Sequence, residues 1–234
     1  MALGFWGAWF YEHEMTRAVF FAALSLAAAF AVPACAAPER YEYRVVHPTY
    51  GDIGTYSNTV DRVGDNTEVT SELRIAVRIL GIVVYRQEAQ RVEHWHGQTL
   101  VSFDGVTVTN GKSLPVHGIA RNGAFVVSTP SGTTTAPADV HPSNPWSPMV
   151  LDADVMMSTR TGKIEQVRVS GGQLVPVKLP GLDRTAHQYE VVSDKHQFVW
   201  MDDSGTPIAF RTTDDGSQID FVLSARQQLA ERNR

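Results

Sequence analysis

One stretch of the chain, residues 67–95, has the sequence TEVTSELRIAVRILGIVVYRQEAQRVEHW and alternates apolar with polar residues along its first half. A period of two is typical of a β-strand that buries one face, because successive side chains of a strand point to opposite sides. We therefore predict a long hairpin that forms the central pair of a twisted antiparallel sheet. The apolar face of its first strand comprises Val69, Leu73, Ile75, Val77 and Ile79.

Cross-strand pairing predicts the register of this hairpin. If residues 80–82 form a three-residue loop, Leu73 faces Ala89 on the apolar side and Arg74 faces Glu88 on the polar side. Apolar side chains then meet apolar ones and opposite charges meet, as cross-strand energetics favour. A two-residue loop would set Ile75 against Arg86 and Leu73 against Glu88, which mixes the two faces, so this register is disfavoured.

The tip of the hairpin is unusually apolar. Leu80 and Ile82 stand where turns usually carry Asn, Asp or Gly. Because an exposed apolar tip is costly in solubility, we expect it to be covered. We favour cover by Trp146 and its neighbours in the segment 129–148, and the alternative is a partner or a membrane surface.

The rest of the chain also carries strand patterns separated by turn signals. Asn-Gly at residues 110–111 and again at 122–123 is typical of a two-residue hairpin turn, because both residue types tolerate a positive φ. Five prolines between residues 129 and 148 predict a long loop over the sheet. Within it, Asn144-Pro145 followed by WSPMVLD predicts the N-cap and first turn of a short helix.

These patterns predict an all-β, mainly antiparallel fold. Roughly a dozen short strands with turns every 8–12 residues are typical of a barrel or sandwich. We expect a strongly curved sheet that forms a half-open or closed barrel, with the short helix at one end. The domain would occupy residues 37–223, and the polar segment 224–234 is expected to be a helix-prone, frayed tail.

Composition places the chain among globular proteins. It has 234 residues, of which 43% are hydrophobic and 19% charged, with a net charge of −5. This acidic balance lacks the basic patch of a nucleic-acid-binding protein, so we predict no nucleic-acid partner. With only one cysteine, the chain forms no intramolecular disulfide.

The N-terminal residues 1–36 are typical of an upstream extension followed by a signal peptide that starts at Met15. Arg17 supplies the positive region, an apolar run follows, and an Ala-Cys-Ala cleavage site ends at Ala36. We therefore predict cleavage after Ala36 and a periplasmic or secreted protein. In the alternative, Cys35 belongs to a lipobox and anchors a lipoprotein.

Several segments resemble a known family. They are ILGIVVYRQEAQRVEHW (79–95), STRTGKIEQVRV (158–169) and HQYEVVSDKHQFVWMDDSGTPIAFRTTDDGSQIDFVL (187–223). The family comprises secreted Gram-negative bacterial β-proteins and is known only as a domain of unknown function. The resemblance covers about residues 41–223 and implies a curved antiparallel sheet, distantly similar to the half-barrels of periplasmic lipoprotein-carrier proteins. It implies no activity and transfers no catalytic residue.

Two histidines are weak candidates for a metal site. His94 and His96 lie two apart and so share one face of a strand. Zinc requires three or four ligands, so another strand would have to supply more. The alternative is a polar outward face, and we predict no bound metal or cofactor. The candidate third ligands are His117, His141, His187 and His196.

The apolar faces have two interpretations, a packed core or a concave pocket that holds one apolar ligand. We predict a non-enzymatic periplasmic binding or carrier protein for a lipid or acyl chain. One alternative is an envelope structural or interaction module that contacts a protein or membrane without a small ligand. Another is a metal-dependent hydrolase that uses His94 and His96. The candidate ligand-binding residues are Leu73, Ile75, Val77, Tyr85, Trp95, Phe103, Trp146, Met149, Phe198, Trp200 and Phe210.

The export prediction can be tested by intact-mass measurement. The full chain, expressed in a Gram-negative host and purified from detergent-solubilised whole cells, is expected to begin at Ala37, because the A-x-A site directs cleavage after Ala36. A mass that corresponds to an acylated chain beginning at Cys35 would contradict cleavage after Ala36 and support the lipoprotein alternative.

Overall fold

The computed structural model describes residues 37–193, 196–214 and 216–230. The predicted start at Met15, the cleavage site at Ala36 and the lipobox cysteine Cys35 lie outside the described residues. Within the described residues, no helix is long and apolar enough to cross a membrane.

The described chain is built almost entirely of strands. In chain order they are β1 (Glu39–His47), β2 (Gly51–Val63), β3 (Asn66–Ile79), β4 (Ile82–His96), β5 (Thr99–Thr109), β6 (Lys112–Arg121), β7 (Ala124–Thr129), β8 (Gly132–Pro137), β9 (His141–Pro142), β10 (Val155–Met157), β11 (Ile164–Gln166), β12 (Arg168–Leu179), β13 (Leu182–Val192), β14 (His196–Met201), β15 (Pro207–Asp214) and β16 (Ser217–Gln228). A single 3₁₀-helix, Pro148–Asp152, lies between β9 and β10.

Thirteen of these strands form one sheet in the order β12-β13-β14-β15-β16-β1-β2-β3-β4-β5-β6-β7-β8. Every neighbouring pair in it is antiparallel. The edge strands β12 and β8 are not hydrogen-bonded to each other, so the sheet is not closed by backbone pairing. A second sheet has the order β11-β10-β9. The prediction of an all-β, mainly antiparallel fold with one short helix is confirmed.

The main core shows that the large sheet curls. One cluster of buried side chains joins Phe221 of β16 to Phe125 of β7 and Ala136 of β8, although these strands lie far apart in the sheet order. Val155 and Met157 of β10 belong to the same cluster. The sheet therefore wraps around the short inner segment that carries β10.

Two glycines make room for the largest rings of this core. A Cβ at Gly105 would lie 2.8 Å from Cε1 of Phe103, and a Cβ at Gly118 would clash with the ring of Phe125. Both phenylalanines are fully buried. Glycine at these positions lets each ring lie flat against the backbone, which helps the sheet to bend.

The central hairpin has the predicted register along most of its length. Leu73 pairs with Ala89, and Arg74 pairs with Glu88. The predicted three-residue loop at the tip is wrong, because Ile79 pairs with Ile82 across a two-residue turn. A register shift next to Val77 supplies one extra residue on β4. This bulge lets a tight turn coexist with the register that keeps apolar residues on one face.

The predicted cover of the hairpin tip is also wrong. Leu80 is 98% exposed and Ile82 is 69% exposed. Trp146 lies in the interior instead, where its ring packs edge-on against Trp95 with the centroids 5.8 Å apart. Trp146 lies in the interior because its indole N–H donates a hydrogen bond to the buried carboxylate of Glu93.

The segment 129–148 is not one long loop. Its threonine-rich part forms β8, which pairs with β7 along its whole length. β-branched threonines favour extended backbone. Pro137 is tolerated because β8 is an edge strand with a neighbour on one side only.

The predicted helix forms, but it starts later than expected. The N-cap is Ser147, whose hydroxyl accepts a hydrogen bond from the backbone N–H of Met149. Asn144 and Pro145 precede the helix and do not belong to its first turn. The Asn144 side chain is buried and hydrogen-bonded elsewhere.

The predicted helix-prone tail is wrong at its beginning. Residues 224–228 continue β16, which pairs with β1 as far as Glu39. Arg226 lies over the ring of Tyr41 and forms an ion pair of 2.9 Å with Glu39. These cross-strand contacts override the helix propensity of the polar sequence. Residues 231–234 lie outside the described residues.

Candidate functional site

A cavity of about 410 Å³ lies inside the curved sheet. Strands β2–β4 form one wall, β13–β16 form the opposite wall, and the segment from Ser143 to Val167 borders it. Its apolar lining consists of Tyr56, Leu73, Ile75, Pro145, Val150, Met156, Val167, Val191, Phe198, Val199, Phe210, Ile219 and Phe221, and its charged lining of Arg91, Arg160, Lys163 and Glu165.

The cavity brings together some of the predicted ligand-binding residues. Leu73 and Ile75 line it from β3, and Phe198 and Phe210 line it from β14 and β15. Most of the others belong to the packed core or lie against it, and Trp200 belongs to a separate cluster with Ile208. The core residues are Val77, Trp95, Phe103 and Trp146, and the partly buried residues that pack against the core are Tyr85 and Met149.

Next to the cavity, strand β4 turns a row of polar side chains inward. Gln87, Arg91 and Glu93 are buried and alternate with exposed residues along the strand. Buried charged groups are rare unless they are paired or hydrogen-bonded, so the partners of each one are informative.

Glu93 is fully buried and accepts three hydrogen bonds from side-chain N–H groups. Its Oε2 atom accepts from Nε1 of Trp95 and from Nε1 of Trp146, each at 3.0 Å. Its Oε1 atom accepts from Nδ2 of Asn144 at 2.9 Å. Two of these donors come from the segment that precedes the 3₁₀-helix, so Glu93 fastens that segment to the sheet.

Asn144 extends this network to β2 and β3. Its Nδ2 also donates to Oγ of Ser71 at 3.0 Å, and its Oδ1 accepts from the hydroxyl of Tyr56 at 2.6 Å. Oδ1 of Asn58 accepts from the hydroxyl of Ser71 at 2.7 Å. It also lies 2.9 Å from the hydroxyl of Tyr56, whose single proton is shared between the two asparagine oxygens. The network is a polar cluster that is almost completely shielded from water.

Burial gives Glu93 an unusual proton affinity. Desolvation raises the pKa of its carboxyl group to about 7, although the three hydrogen bonds and nearby Arg91 favour the charged form. The carboxyl group therefore changes its charge near neutral pH without contact with solvent.

Arg91 lies two residues before Glu93 and faces the cavity. It is 7% exposed, and its Nε donates to the backbone oxygen of Thr159 at 3.3 Å. Desolvation lowers the pKa of this guanidinium, and Arg160 nearby lowers it further by repulsion, while Tyr56 and Glu93 oppose the shift.

These inward-facing polar residues are not among the candidates predicted from the sequence, although the sequence carries a signal for them. In the predicted register, Arg91 and Glu93 have the same parity as Ala89 and Trp95 and therefore point inward. Two opposite charges at inward positions of a predicted core strand mark a polar site. The role of Asn144 was hidden, because nothing local distinguishes a buried asparagine from a helix cap.

The histidine candidates do not assemble. His94 contacts Ser102 at 3.0 Å, and His96 contacts Asn66 at 3.0 Å, both on the exposed face. His117 contacts Asp104, His187 contacts Asp203 and His196 contacts Glu190, and His141 packs against Trp95. In the described ranges, no three His, Cys, Asp or Glu side chains are placed to share a metal ion.

Comparison with protein families gives a clear assignment. The model of the domain of unknown function DUF6134 matches residues 43–224. The chain belongs to this family, which confirms the resemblance seen in the sequence. No curated protein matches the chain.

Comparison with solved structures supports the fold. The chain is similar to a β-barrel-like protein of the domain of unknown function DUF1849 from Brucella abortus, with a TM-score of 0.62 and 7% identity. The match covers 84% of this chain and 99% of that one. A DUF1089 family protein from Pseudomonas aeruginosa matches with 14% identity and a TM-score of 0.30, over 76% of this chain and 91% of that one. The first of these similarities concerns the fold alone.

The raised pKa of Glu93 predicts a pH dependence of stability. In the folded protein the pKa of Glu93 is about 7, whereas the ordinary pKa of a glutamate in an unfolded chain is about 4.5. The contribution of Glu93 to the free energy of unfolding is therefore complete below pH 4.5. It is lost as the pH rises through 7, and the total loss is about 3 kcal/mol. Urea unfolding at a series of pH values should show wild type losing this stability relative to Glu93→Gln, which does not titrate.

The matched control is Glu88→Gln, on the solvent face of the same strand. The difference in the free energy of unfolding between Glu88→Gln and wild type should stay constant over the same pH range. Parallel pH profiles for wild type and Glu93→Gln would contradict the raised pKa of the buried carboxyl group.

Proposed function

We propose that this protein is a periplasmic binding or carrier protein for an apolar ligand, a lipid or an acyl chain, which occupies the cavity inside the curved sheet. The observation that carries the proposal is a cavity of about 410 Å³ beside the main core, in which apolar residues make up half of the lining and charged or neutral polar residues the other half. This volume lies in the range of small-molecule sites, roughly 300–1,000 Å³. Because empty apolar space in a core costs stability, a retained cavity favours an occupant.

The position of the cavity supports the same function. Curved sheets and barrels of this size often hold one apolar ligand among inward-facing side chains. Here Leu73 and Ile75 on β3 line the cavity together with Phe210 on β15 and Ile219 on β16. The signal peptide predicted at residues 1–36 supports a ligand of the bacterial envelope.

We propose binding rather than catalysis. Glu93 has the pKa that a general acid or base would need, but its oxygens already accept three N–H donors and it does not line the cavity. Its hydrogen bonds fit a structural role, because they hold Asn144 and Trp146 against the sheet.

Ligand uptake can be measured with the neutral fluorescent probe N-phenyl-1-naphthylamine. Delipidated protein should bind it saturably, with one probe per chain. Ile75→Trp should weaken binding at least about tenfold, because the larger side chain fills the cavity that Ile75 lines. Val101→Thr is the control, because Val101 lies on an exposed face of β5. Unchanged probe affinity in Ile75→Trp, with an unchanged melting temperature, would contradict this binding site.

The exposed hairpin tip favours a second function, contact with a membrane surface. Leu80 is 98% exposed and has a φ of +51°, a conformation that costs a residue with a Cβ roughly 1 kcal/mol. Asn or Gly would remove both the strain and the exposed apolar surface. The neighbouring exposed aliphatic residues are Ile79, Ile82, Val83 and Val84.

The charges beside the tip fit an anionic lipid surface. Arg78 and Arg86 flank the apolar residues and are exposed. Arg86 lies 4.0 Å from Glu88, at the limit of an ion pair. Apolar side chains that insert into the interface, with cations at the headgroup level, are typical of peripheral membrane contacts.

Vesicle flotation tests this second function. Wild type should float with phosphatidylglycerol vesicles, and the double variant Leu80→Asn with Ile82→Lys should not, while its melting temperature stays at or above that of wild type. Ile119→Thr is the control, since Ile119 is an exposed aliphatic residue on another strand. Equal flotation of wild type and the double variant would contradict membrane contact through the tip.

A further inference from the structure

Arg91 is a buried cation whose charge is not neutralised by an ion pair. Only 7% of the residue is exposed, and its guanidinium lies at the cavity wall. Among the described residues it forms one side-chain hydrogen bond, from Nε to the backbone oxygen of Thr159, and no carboxylate forms a salt bridge with it. A buried charge without a paired anion costs several kcal/mol, so a partner is expected.

The neighbouring acid does not fill this role. Glu93 lies two residues further along the same face, but its oxygens accept hydrogen bonds from Trp95, Trp146 and Asn144. Because burial also favours the protonated form of Glu93, its negative charge is incomplete at neutral pH. The electrostatic potential at the cavity wall next to Arg91 is therefore positive.

Other cavity residues reinforce this positive potential. Arg160 lies near enough to Arg91 to lower its pKa by repulsion. Lys163 also lines the cavity, and its ammonium group forms an ion pair of 2.9 Å with Glu165, which is the one carboxylate among the lining residues. Arg91, Arg160 and Lys163 thus line the same cavity with one carboxylate. Arg91 is the buried one of the three cations, whereas the side chain of Lys163 is 55% exposed.

We propose that Arg91 binds the carboxylate of a single-chain fatty acid whose acyl chain lies along Leu73, Ile75 and Phe210. This inference rests on the proposed apolar-ligand function and adds the chemistry of the headgroup. A carboxylate is the oxyanion that fits best, because Nε of Arg91 is already engaged and the two terminal amino groups remain to form a planar fork with two oxygens. A phosphate monoester, with nearly two negative charges, would need more donors than this fork provides.

The test compares two ligands that differ only in the headgroup, hexadecanoic acid and hexadecan-1-ol, as competitors of N-phenyl-1-naphthylamine at pH 7.5. Wild type should bind the acid at least about tenfold more tightly than the alcohol, as a charge-assisted hydrogen bond implies. Arg91→Gln should lose this preference while keeping its affinity for the alcohol. Arg121→Gln, an exposed cation outside the cavity, should keep the preference.

The outcomes separate this inference from the proposed function. Equal affinities of wild type for acid and alcohol would overturn the role of Arg91 and leave apolar-ligand binding intact. Absence of saturable binding of the neutral probe itself would overturn the proposed function and this inference with it. Because the acid-against-alcohol comparison on wild type needs no substitution, it decides the matter even if Arg91→Gln fails to fold.

Discussion

The buried carboxyl group of Glu93 fixes the position of an inner segment that also packs against the large sheet through apolar contacts. A sheet that is not closed by hydrogen bonds has an inner face that something else must fill. The filler is the segment around the 3₁₀-helix and β10, and Glu93 binds it through Asn144 and Trp146. Since the hydrogen bonds are directional, they fix where this segment lies, which apolar packing alone specifies less sharply.

This attachment also shapes the cavity. The residues that follow Trp146 line the cavity on one side, and strands β13–β16 line it on the other. Two inward charges of β4 therefore have different surroundings: Glu93 is enclosed by N–H donors, and Arg91 faces the open space. The same strand thus supplies a structural anchor and a candidate ligand contact within three residues.

Much of the fold could be predicted from local patterns. The alternation along β3 and the pairing of Leu73 with Ala89 followed from side-chain periodicity, because a strand with one buried face has a fixed register. The bulge next to Val77 could not be predicted, since a tight turn with a bulge and a wider loop without one give the same pairing below the tip. β8 was missed because prolines mask a threonine-rich edge strand.

The candidate site was harder to predict than the fold, and the difference has a physical cause. Periodicity shows which side chains point inward, and it places Arg91 and Glu93 there together with Ala89 and Trp95. Periodicity does not show which side chains contact Arg91 and Glu93, because the hydrogen-bond donors Asn144 and Trp146 lie about 50 residues after Glu93 in the sequence. Apolar candidates such as Phe103 and Phe198 look alike in sequence, yet one is buried in packed core and the other lines a cavity. Whether an inward apolar residue lies against another side chain or against empty space depends on how far the sheet curls. That curvature accompanies a core shared by strands distant in sequence, such as the cluster that contains both Phe125 of β7 and Phe221 of β16, and so it appears only in the folded chain.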